Sequence, residues 1–164
     1  MSGKCPGRPG VASPPMAHHE PIDPDAPAPA GTSHVLAAVA AGGALGSAGR
    51  WLASEVIAMA GGFPWPTFLV NVTGALLIGA LMVVGTDVVT DRPLLGPLLG
   101  PLLGVGFLGG WTTFSTYALE ARDLLAAGEP VLAVTYVVGS VVAGPAAAWL
   151  GIAVTRRLTA GATP

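Results

Sequence analysis

A run in the second half of the chain decides the fold: residues 106–120 are GFLGGWTTFSTYALE. Two adjacent glycines, Gly109 and Gly110, are followed by β-branched and hydroxylated residues, and all of these are poor helix formers. They stand in the middle of an apolar block that would otherwise form one continuous helix. The sequence therefore predicts a helix that is broken here, with freed carbonyl oxygens that need partners in the protein or a cation.

This run belongs to the third of four apolar blocks, which cover residues 35–60, 67–86, 94–127 and 131–155. Each block is long enough to cross a hydrocarbon layer, which needs ~20 helical residues. The sequence therefore predicts an all-α membrane protein with four transmembrane helices, the third of them broken. A soluble helical bundle is disfavoured because the blocks are apolar around most of their circumference.

The composition also favours a membrane protein. Hydrophobic residues make up 52% of the 164 residues and charged residues only 10%, against a usual charged share of roughly 25%. The formal net charge of -2 leaves no basic surplus for phosphates, so we expect no nucleic-acid partner. The single cysteine, Cys5, can form neither an intrachain disulfide nor a thiolate metal site.

The chain divides into three parts. Residues 1–32 are rich in proline and almost free of large apolar side chains, which predicts a disordered tail. Residues 33–157 hold the four blocks and form the predicted transmembrane domain. Residues 158–164 are a short C-terminal tail.

Each polar side chain inside the apolar blocks is expected to have a partner or a functional role, because an unpaired polar group in hydrocarbon costs free energy. Arg50 either anchors the first helix at an interface or attracts an anion. Asn71 offers donors and an acceptor, either for an interhelical hydrogen bond or for a wet pathway. Gly42 and Gly46 form a pair of small residues that is typical of close helix packing.

Aromatic and hydroxyl side chains follow the predicted break. Phe114 and Tyr117 are three residues apart and share a helical face. Such pairs usually belong to a core, but the positive edge of each ring can also contact an anion. Hydroxyl donors that accompany them are Ser115 and Thr116 in the third block and Tyr136 and Ser140 in the fourth.

Three motifs together resemble the fluoride channels of the Fluc/CrcB type. They are Gly42-Gly43-x-x-Gly46-x-x-x-Arg50, Pro64-Trp65-x-Thr67-x-x-x-Asn71-x-x-Gly74 and Gly106-Phe107-x-Gly109-Gly110-x-Thr112-Thr113-Phe114-Ser115-Thr116-Tyr117-x-x-Glu120. The resemblance implies a passive, fluoride-selective channel that exports cytoplasmic fluoride and so lowers its toxicity. It further implies a multi-pass protein in the lipid of the bacterial inner membrane, built as an antiparallel, dual-topology homodimer with two pores and a central structural Na⁺.

The resemblance also implies roles for individual residues. The sodium ligands would be the main-chain carbonyls of Gly109 and Thr112 from both subunits. Asn71 would face the fluoride path, and Phe114 and Tyr117 would contact fluoride with their ring edges. The polar track along the path would consist of Ser115, Thr116, Tyr136 and Ser140.

The sequence departs from the family pattern at a few positions. The family usually has phenylalanine where Tyr117 stands, and relatives can carry serine at the position of Gly144. These departures put the conduction rate in question and leave open a heterodimer with a diverged paralogue. The direction in which each subunit inserts is also undetermined, because the charge bias between the two sides is modest.

Two other functions compete with a channel. The first is a proton-coupled exporter of lipophilic cations, which also has small four-helix subunits. It needs a carboxylate within the membrane, and Glu55 and Glu120 are expected to lie too near helix ends. The second is a membrane scaffold without transport activity. We expect no enzyme, because the sequence offers no nucleophile beside a base and no cluster of metal-binding side chains.

Overall fold

The computed structural model describes residues 32–57, 62–85 and 100–160, and all regular secondary structure in these ranges is helical. The helices are α1 (Thr32–Val56), α2 (Trp65–Val83), a π-helical segment α3 (Gly100–Leu108), a single turn α4 (Gly109–Trp111), α5 (Phe114–Ala126) and α6 (Pro130–Ala160). The predicted N-terminal tail, apart from Thr32, and residues 161–164 of the predicted C-terminal tail lie outside the described residues.

Three of these helices, α1, α2 and α6, are long and apolar enough to cross a membrane, with 25, 19 and 31 residues. Their outward surfaces carry large apolar side chains, among them Leu45 on α1, Met82 on α2 and Trp149 on α6. A water-soluble protein rarely exposes so much contiguous apolar surface. The described chain is therefore an all-α protein of the membrane type, as the sequence predicts.

Helix α1 packs along α3 and α4 through a face of small residues. Gly42 and Gly46 are both buried, and a methyl group at Gly46 would collide with the main-chain carbonyl of Phe107. Only a residue without a side chain allows the two backbones to approach so closely. The predicted packing role of these two glycines is confirmed.

Helices α2 and α6 form the second close pair, and most of the buried core lies between them. A methyl group at Gly151 of α6 would collide with the main-chain carbonyl of Leu76 on α2. Elsewhere on this pair, the side chains of Val70 on α2 and of Ala133 and Tyr136 on α6 are almost completely buried. This packing holds α2 and α6 side by side, so that their polar residues reach α5.

The helical path stops at Trp111 and resumes at Phe114. Between them Thr112 has φ −80° and ψ 157°, and Thr113 has φ −148° and ψ 125°, so both residues are extended. An extended pair of residues separates the main-chain groups on either side from their helical partners. The residues that satisfy these groups form the candidate site.

Candidate functional site

The extended residues Thr112 and Thr113, which separate α4 from α5, are called the interruption below. Asn71 of α2 pairs with the main chain of Thr113 in it. Its side-chain Nδ2 donates a hydrogen bond to the Thr113 carbonyl at 3.0 Å, and the Thr113 N–H donates to Asn71 Oδ1 at 2.9 Å. A side-chain amide has a donor and an acceptor side by side, so it can replace both partners that an extended residue loses. Asn71 therefore forms the hydrogen bonds between helices that one interpretation predicts, and it also lines a cavity.

The hydroxyl of Thr113 caps the first turn of α5. Thr113 Oγ1 accepts a hydrogen bond from the Thr116 N–H at 3.2 Å and donates to Thr116 Oγ1 at 3.0 Å. A threonine in this position satisfies a free N–H at the start of a helix and stabilises the helix by about 1 kcal/mol. The cap explains why α5 begins at Phe114, immediately after the extended pair.

These two arrangements divert the hydrogen-bond donors from two carbonyls. In a continuous helix the Thr113 N–H would bond the carbonyl of Gly109, and the Thr116 N–H would bond the carbonyl of Thr112. Here both N–H groups donate to side-chain oxygens instead. Gly109 and Thr112 are the residues whose carbonyls the resemblance assigns to sodium, and main-chain oxygens of an unwound segment are suitable ligands for Na⁺.

A cavity of about 530 Å³ opens beside the interruption, and we call it the large cavity. It brings together most of the residues that the sequence singled out. Its predicted site residues are Asn71, Gly109, Thr112, Phe114, Tyr117 and Ser140, which come from α2, α4, α5, α6 and the extended pair. The remaining lining is mainly apolar, so the large cavity presents a few neutral polar groups in an apolar wall.

A second cavity of about 270 Å³, the small cavity, lies on the other side of Thr113. Its polar lining includes Arg50 from α1 and Thr67 from α2, together with Thr116 from α5. The Nε atom of Arg50 is shielded from solvent and has no hydrogen-bond partner within the described ranges. Thr113 lines both cavities, so the interruption lies between them.

Glu120 is a site residue that sequence reasoning missed. It was expected near a helix end, which is wrong: it lies in the middle of α5 and accepts two hydrogen bonds from other helices. Thr67 Oγ1 donates to Oε1 at 2.8 Å, and the Tyr136 hydroxyl donates to Oε2 at 2.7 Å. The signal was the three-residue spacing of Tyr117 and Glu120, which places the carboxylate on the same helical face as the Tyr117 ring.

Tyr136 is fully buried, with 0% of its surface exposed, and its hydroxyl is used by Glu120. Its ring contacts the ring of Tyr117, with centroids 5.2 Å apart. The Tyr117 ring in turn lies 5.7 Å from that of Phe114, which is 79% exposed in the single chain. The aromatic side chains therefore form a row that runs from the core to the surface.

The two other predicted hydroxyls have different positions. Ser115 is exposed, and its Oγ lies 3.3 Å from Thr113 Oγ1. Thr116 is half-buried and lines the small cavity. Within the single chain the predicted polar track is thus divided: Ser140 lines the large cavity, Thr116 the small cavity, Ser115 is exposed, and Tyr136 is buried outside both cavities.

Comparison with known proteins shows the family of this chain. Residues 37–152 match the family model described as CrcB-like protein, Camphor Resistance (CrcB). This range covers more than half of the chain. The chain belongs to the CrcB family. The matched range contains both cavities, the interruption and Glu120.

Several curated proteins resemble this CrcB-family chain. The fluoride-specific ion channel FluC 2 of Nocardia farcinica is 46% identical over 129 residues, which cover 78% of this chain and 89% of that protein. The fluoride-specific ion channel FluC 1 of Streptomyces coelicolor is 43% identical over 129 residues, which cover 76% and 79%. The FluC 2 protein of Rhodococcus jostii is 44% identical over 117 residues, which cover 71% and 95%. Together with the three long apolar helices, family membership makes this chain a multi-pass protein of the bacterial cell membrane.

Proposed function

We propose that the chain forms a passive, fluoride-selective channel that exports cytoplasmic fluoride and so lowers its toxicity. The observation that carries the proposal is the large cavity, where neutral donors from α2, α5 and α6 surround the extended residues Thr112 and Thr113. Three relatives that cover most of this chain bear the name fluoride-specific ion channel. Both lines support the same function.

The charge distribution suits a small anion that must bind and leave again. Fluoride is costly to dehydrate, and a fixed positive charge in a narrow pore would hold it too tightly for rapid release. Of the described residues that line the two cavities, Arg50 alone carries a charge. Several neutral N–H and O–H groups can share the cost of dehydration instead.

In this proposal the fluoride path runs through both cavities. Arg50 in the small cavity attracts the anion from solution, and the large cavity receives it after it has lost water. Because Thr113 lines both cavities, the anion passes the interruption, where Asn71 presents its amide. The aromatic edges of Phe114 and Tyr117 form the opposite wall.

The segment from α3 to α5 supplies the fourth membrane crossing of this proposal. Each of its pieces is shorter than a membrane span, but together they cover Gly100–Leu108, Gly109–Trp111 and Phe114–Ala126. Extended main chain inside a bilayer is tolerated where protein or a water-filled cavity satisfies it. Asn71 and the cap of α5 provide those partners, which supports one broken crossing rather than two short helices.

A structural Na⁺ fits the carbonyls of Gly109 and Thr112, whose usual helical donors are engaged elsewhere. Gly109 is exposed on the single chain, and a Cβ there would meet no atom within 4 Å. Two carbonyls from one subunit leave a sodium shell incomplete, so the second pair would come from a second copy. The ion would hold the two interrupted helices together and would take no direct part in fluoride transport.

The same surface supports the proposal of an antiparallel homodimer. Phe114 is 79% exposed although it lines the large cavity, so the wall of that cavity is open in the single chain. A second copy inserted in the opposite direction would close it and create two equivalent pores. Mass measurement in detergent tests this proposal, with twice the 16.2 kDa chain mass expected.

Fluoride efflux from liposomes tests the function. The purified protein is reconstituted in vesicles loaded with potassium fluoride, valinomycin is added, and a fluoride-selective electrode records release. We expect fluoride to leave far faster than from empty vesicles, and chloride to leave no faster than from empty vesicles in a matched experiment. Fluoride release equal to that of empty vesicles would remove the proposal.

A further inference from the structure

Two of the four hydroxyl residues that line the large cavity, Thr112 and Thr113, already donate short hydrogen bonds. Thr112 Oγ1 donates to the Leu108 carbonyl at 2.9 Å, and Thr113 Oγ1 donates to Thr116 Oγ1 at 3.0 Å. These hydroxyls stabilise the interruption, and an anion would have to displace a short bond to recruit them. The donors that remain for an anion must come from other residues.

Ser140 of α6 is one such donor. It lines the large cavity, and its Oγ is shielded from water without a hydrogen-bond partner among the residues that the structure describes. A shielded hydroxyl without a partner costs free energy, which is regained when an acceptor arrives. A dehydrated anion in this cavity is an acceptor that displaces no existing bond.

Tyr117 of α5 is the second available donor. Its hydroxyl lies 3.5 Å from the Val137 carbonyl of α6, at the outer limit of a hydrogen bond. Val137 belongs to a continuous helix whose main-chain bonds satisfy its carbonyl, so the hydroxyl can leave at little cost. Val137 and Ser140 are three residues apart and share a face of α6, which directs the Tyr117 hydroxyl toward the turn that carries Ser140.

We infer that the hydroxyls of Tyr117 and Ser140 together form a two-donor binding station for fluoride in the large cavity. This inference rests on the proposed function and deepens it. The rings of Phe114 and Tyr136 on either side hold the Tyr117 ring, so its hydroxyl has a defined position. A phenylalanine would present only a ring edge there, so this station depends on the tyrosine that the chain carries.

The station favours fluoride over larger anions for a simple reason. Hydroxyl donors form their strongest hydrogen bonds with small acceptors of high charge density. Neither hydroxyl carries a charge, so the ion can leave again. Tyr117 therefore contributes a hydrogen bond to fluoride, in addition to any contact from its ring edge.

A set of efflux measurements tests the station, using Tyr117→Phe, Ser140→Ala and the double variant at a fluoride concentration below saturation. We expect each single variant to release fluoride about tenfold more slowly, since each loses one hydrogen bond to a charged group. The double variant should be no more than about threefold slower than either single variant, because the two hydroxyls bind the same ion.

Thr135→Val is the matched control, because it removes an exposed hydroxyl from α6 that donates to the Val131 carbonyl away from both cavities. We expect its efflux to equal that of the parent. Gel filtration checks each variant, and if Tyr117→Phe fails to fold, Ser140→Ala and Ser140→Thr replace it, with slow efflux expected only for alanine.

Three results would overturn the station: Tyr117→Phe within twofold of the parent, Ser140→Ala equal to Ser140→Thr, or losses that multiply in the double variant. A parent that conducts fluoride together with an unchanged Tyr117→Phe variant would overturn this inference alone. A parent that conducts no fluoride would overturn the proposed function and the station with it.

Discussion

Asn71 and Thr113 exchange two hydrogen bonds between residues that are 42 positions apart in the chain, at 3.0 Å and 2.9 Å. The pair binds the main chain between α4 and α5 to α2. It also engages the Thr113 N–H, which would bond the Gly109 carbonyl in a continuous helix, and Thr113 lines both cavities. The stability of the interruption and the proposed transport path therefore depend on one side-chain amide.

Replacing Asn71 with leucine should impair both folding and transport. The variant leaves the Thr113 N–H and carbonyl unpaired in an apolar setting, which should lower the free energy of unfolding by about 2–4 kcal/mol. Denaturant or thermal unfolding in detergent measures the loss, and fluoride efflux should fall to the level of empty vesicles. Leu77→Ala is the control, because Leu77 is a partly exposed residue of the same helix outside both cavities. Parent-like stability in Asn71→Leu would show that the two bonds contribute little.

Two glycine substitutions compare a glycine in a close contact between helices with a glycine that has open space around it. Gly46→Ala should destabilise the protein by about 1–3 kcal/mol, because the new methyl group collides with the Phe107 carbonyl and forces α1 away from α3. Gly144→Ala should be neutral or slightly stabilising, since a Cβ there meets no atom within 4 Å. Unfolding temperatures in detergent measure both effects. Equal shifts in the two variants would contradict the proposed packing role of Gly46.

The cap of α5 gives a test of the sodium proposal. Thr113→Val removes the acceptor for the Thr116 N–H, which can then bond the Thr112 carbonyl as in a regular helix. We expect the parent to unfold at a lower temperature when Na⁺ is replaced by N-methyl-D-glucamine, and the variant to lose much of this dependence. Thr135→Val should keep it. If the parent has the same unfolding temperature in both salts, the sodium site is wrong.

The hydrogen bond between Tyr136 and Glu120 should contribute measurably to stability. Tyr136→Phe leaves one oxygen of a half-buried carboxylate without its donor, at a cost of about 1.5–3 kcal/mol. Combined with Glu120→Gln, the loss should be smaller than the sum of the two single losses, because the residues contact each other. Additive losses in such a double-mutant cycle would show that the bond carries no net energy.

The charge of Arg50 should affect the capture of fluoride rather than its selectivity. We expect Arg50→Gln to slow efflux several-fold at low ionic strength and less at high ionic strength, because dissolved salt screens the attraction. Arg50→Lys keeps the charge and should remain close to the parent. A loss of equal size at both ionic strengths would point to the anchoring role that the sequence left open.

The sequence was sufficient for the features that depend on local composition. Long apolar blocks predict helices of a membrane protein, and α1, α2 and α6 fall on three of them within a few residues. The close packing at Gly42 and Gly46 also followed from their spacing, because small residues four apart share a helical face.

The partners of individual polar groups could not be predicted in the same way. Glu120 receives its hydrogen bonds from Thr67 and Tyr136, which lie on two other helices, and no local pattern specifies that pairing. The π-helical winding of Gly100–Leu108 was not expected either. The pairing of Glu120 follows from packing between helices, which a single sequence does not encode locally.

Current measurement under ion gradients tests the central proposal most directly. In a planar bilayer with a tenfold fluoride gradient and equal pH, a passive fluoride channel should give a reversal potential of about 59 mV, as expected for one charge per ion. A pH gradient at equal fluoride should then give a reversal potential of zero. A reversal potential that follows the proton gradient, or that follows a chloride gradient instead, would contradict the account.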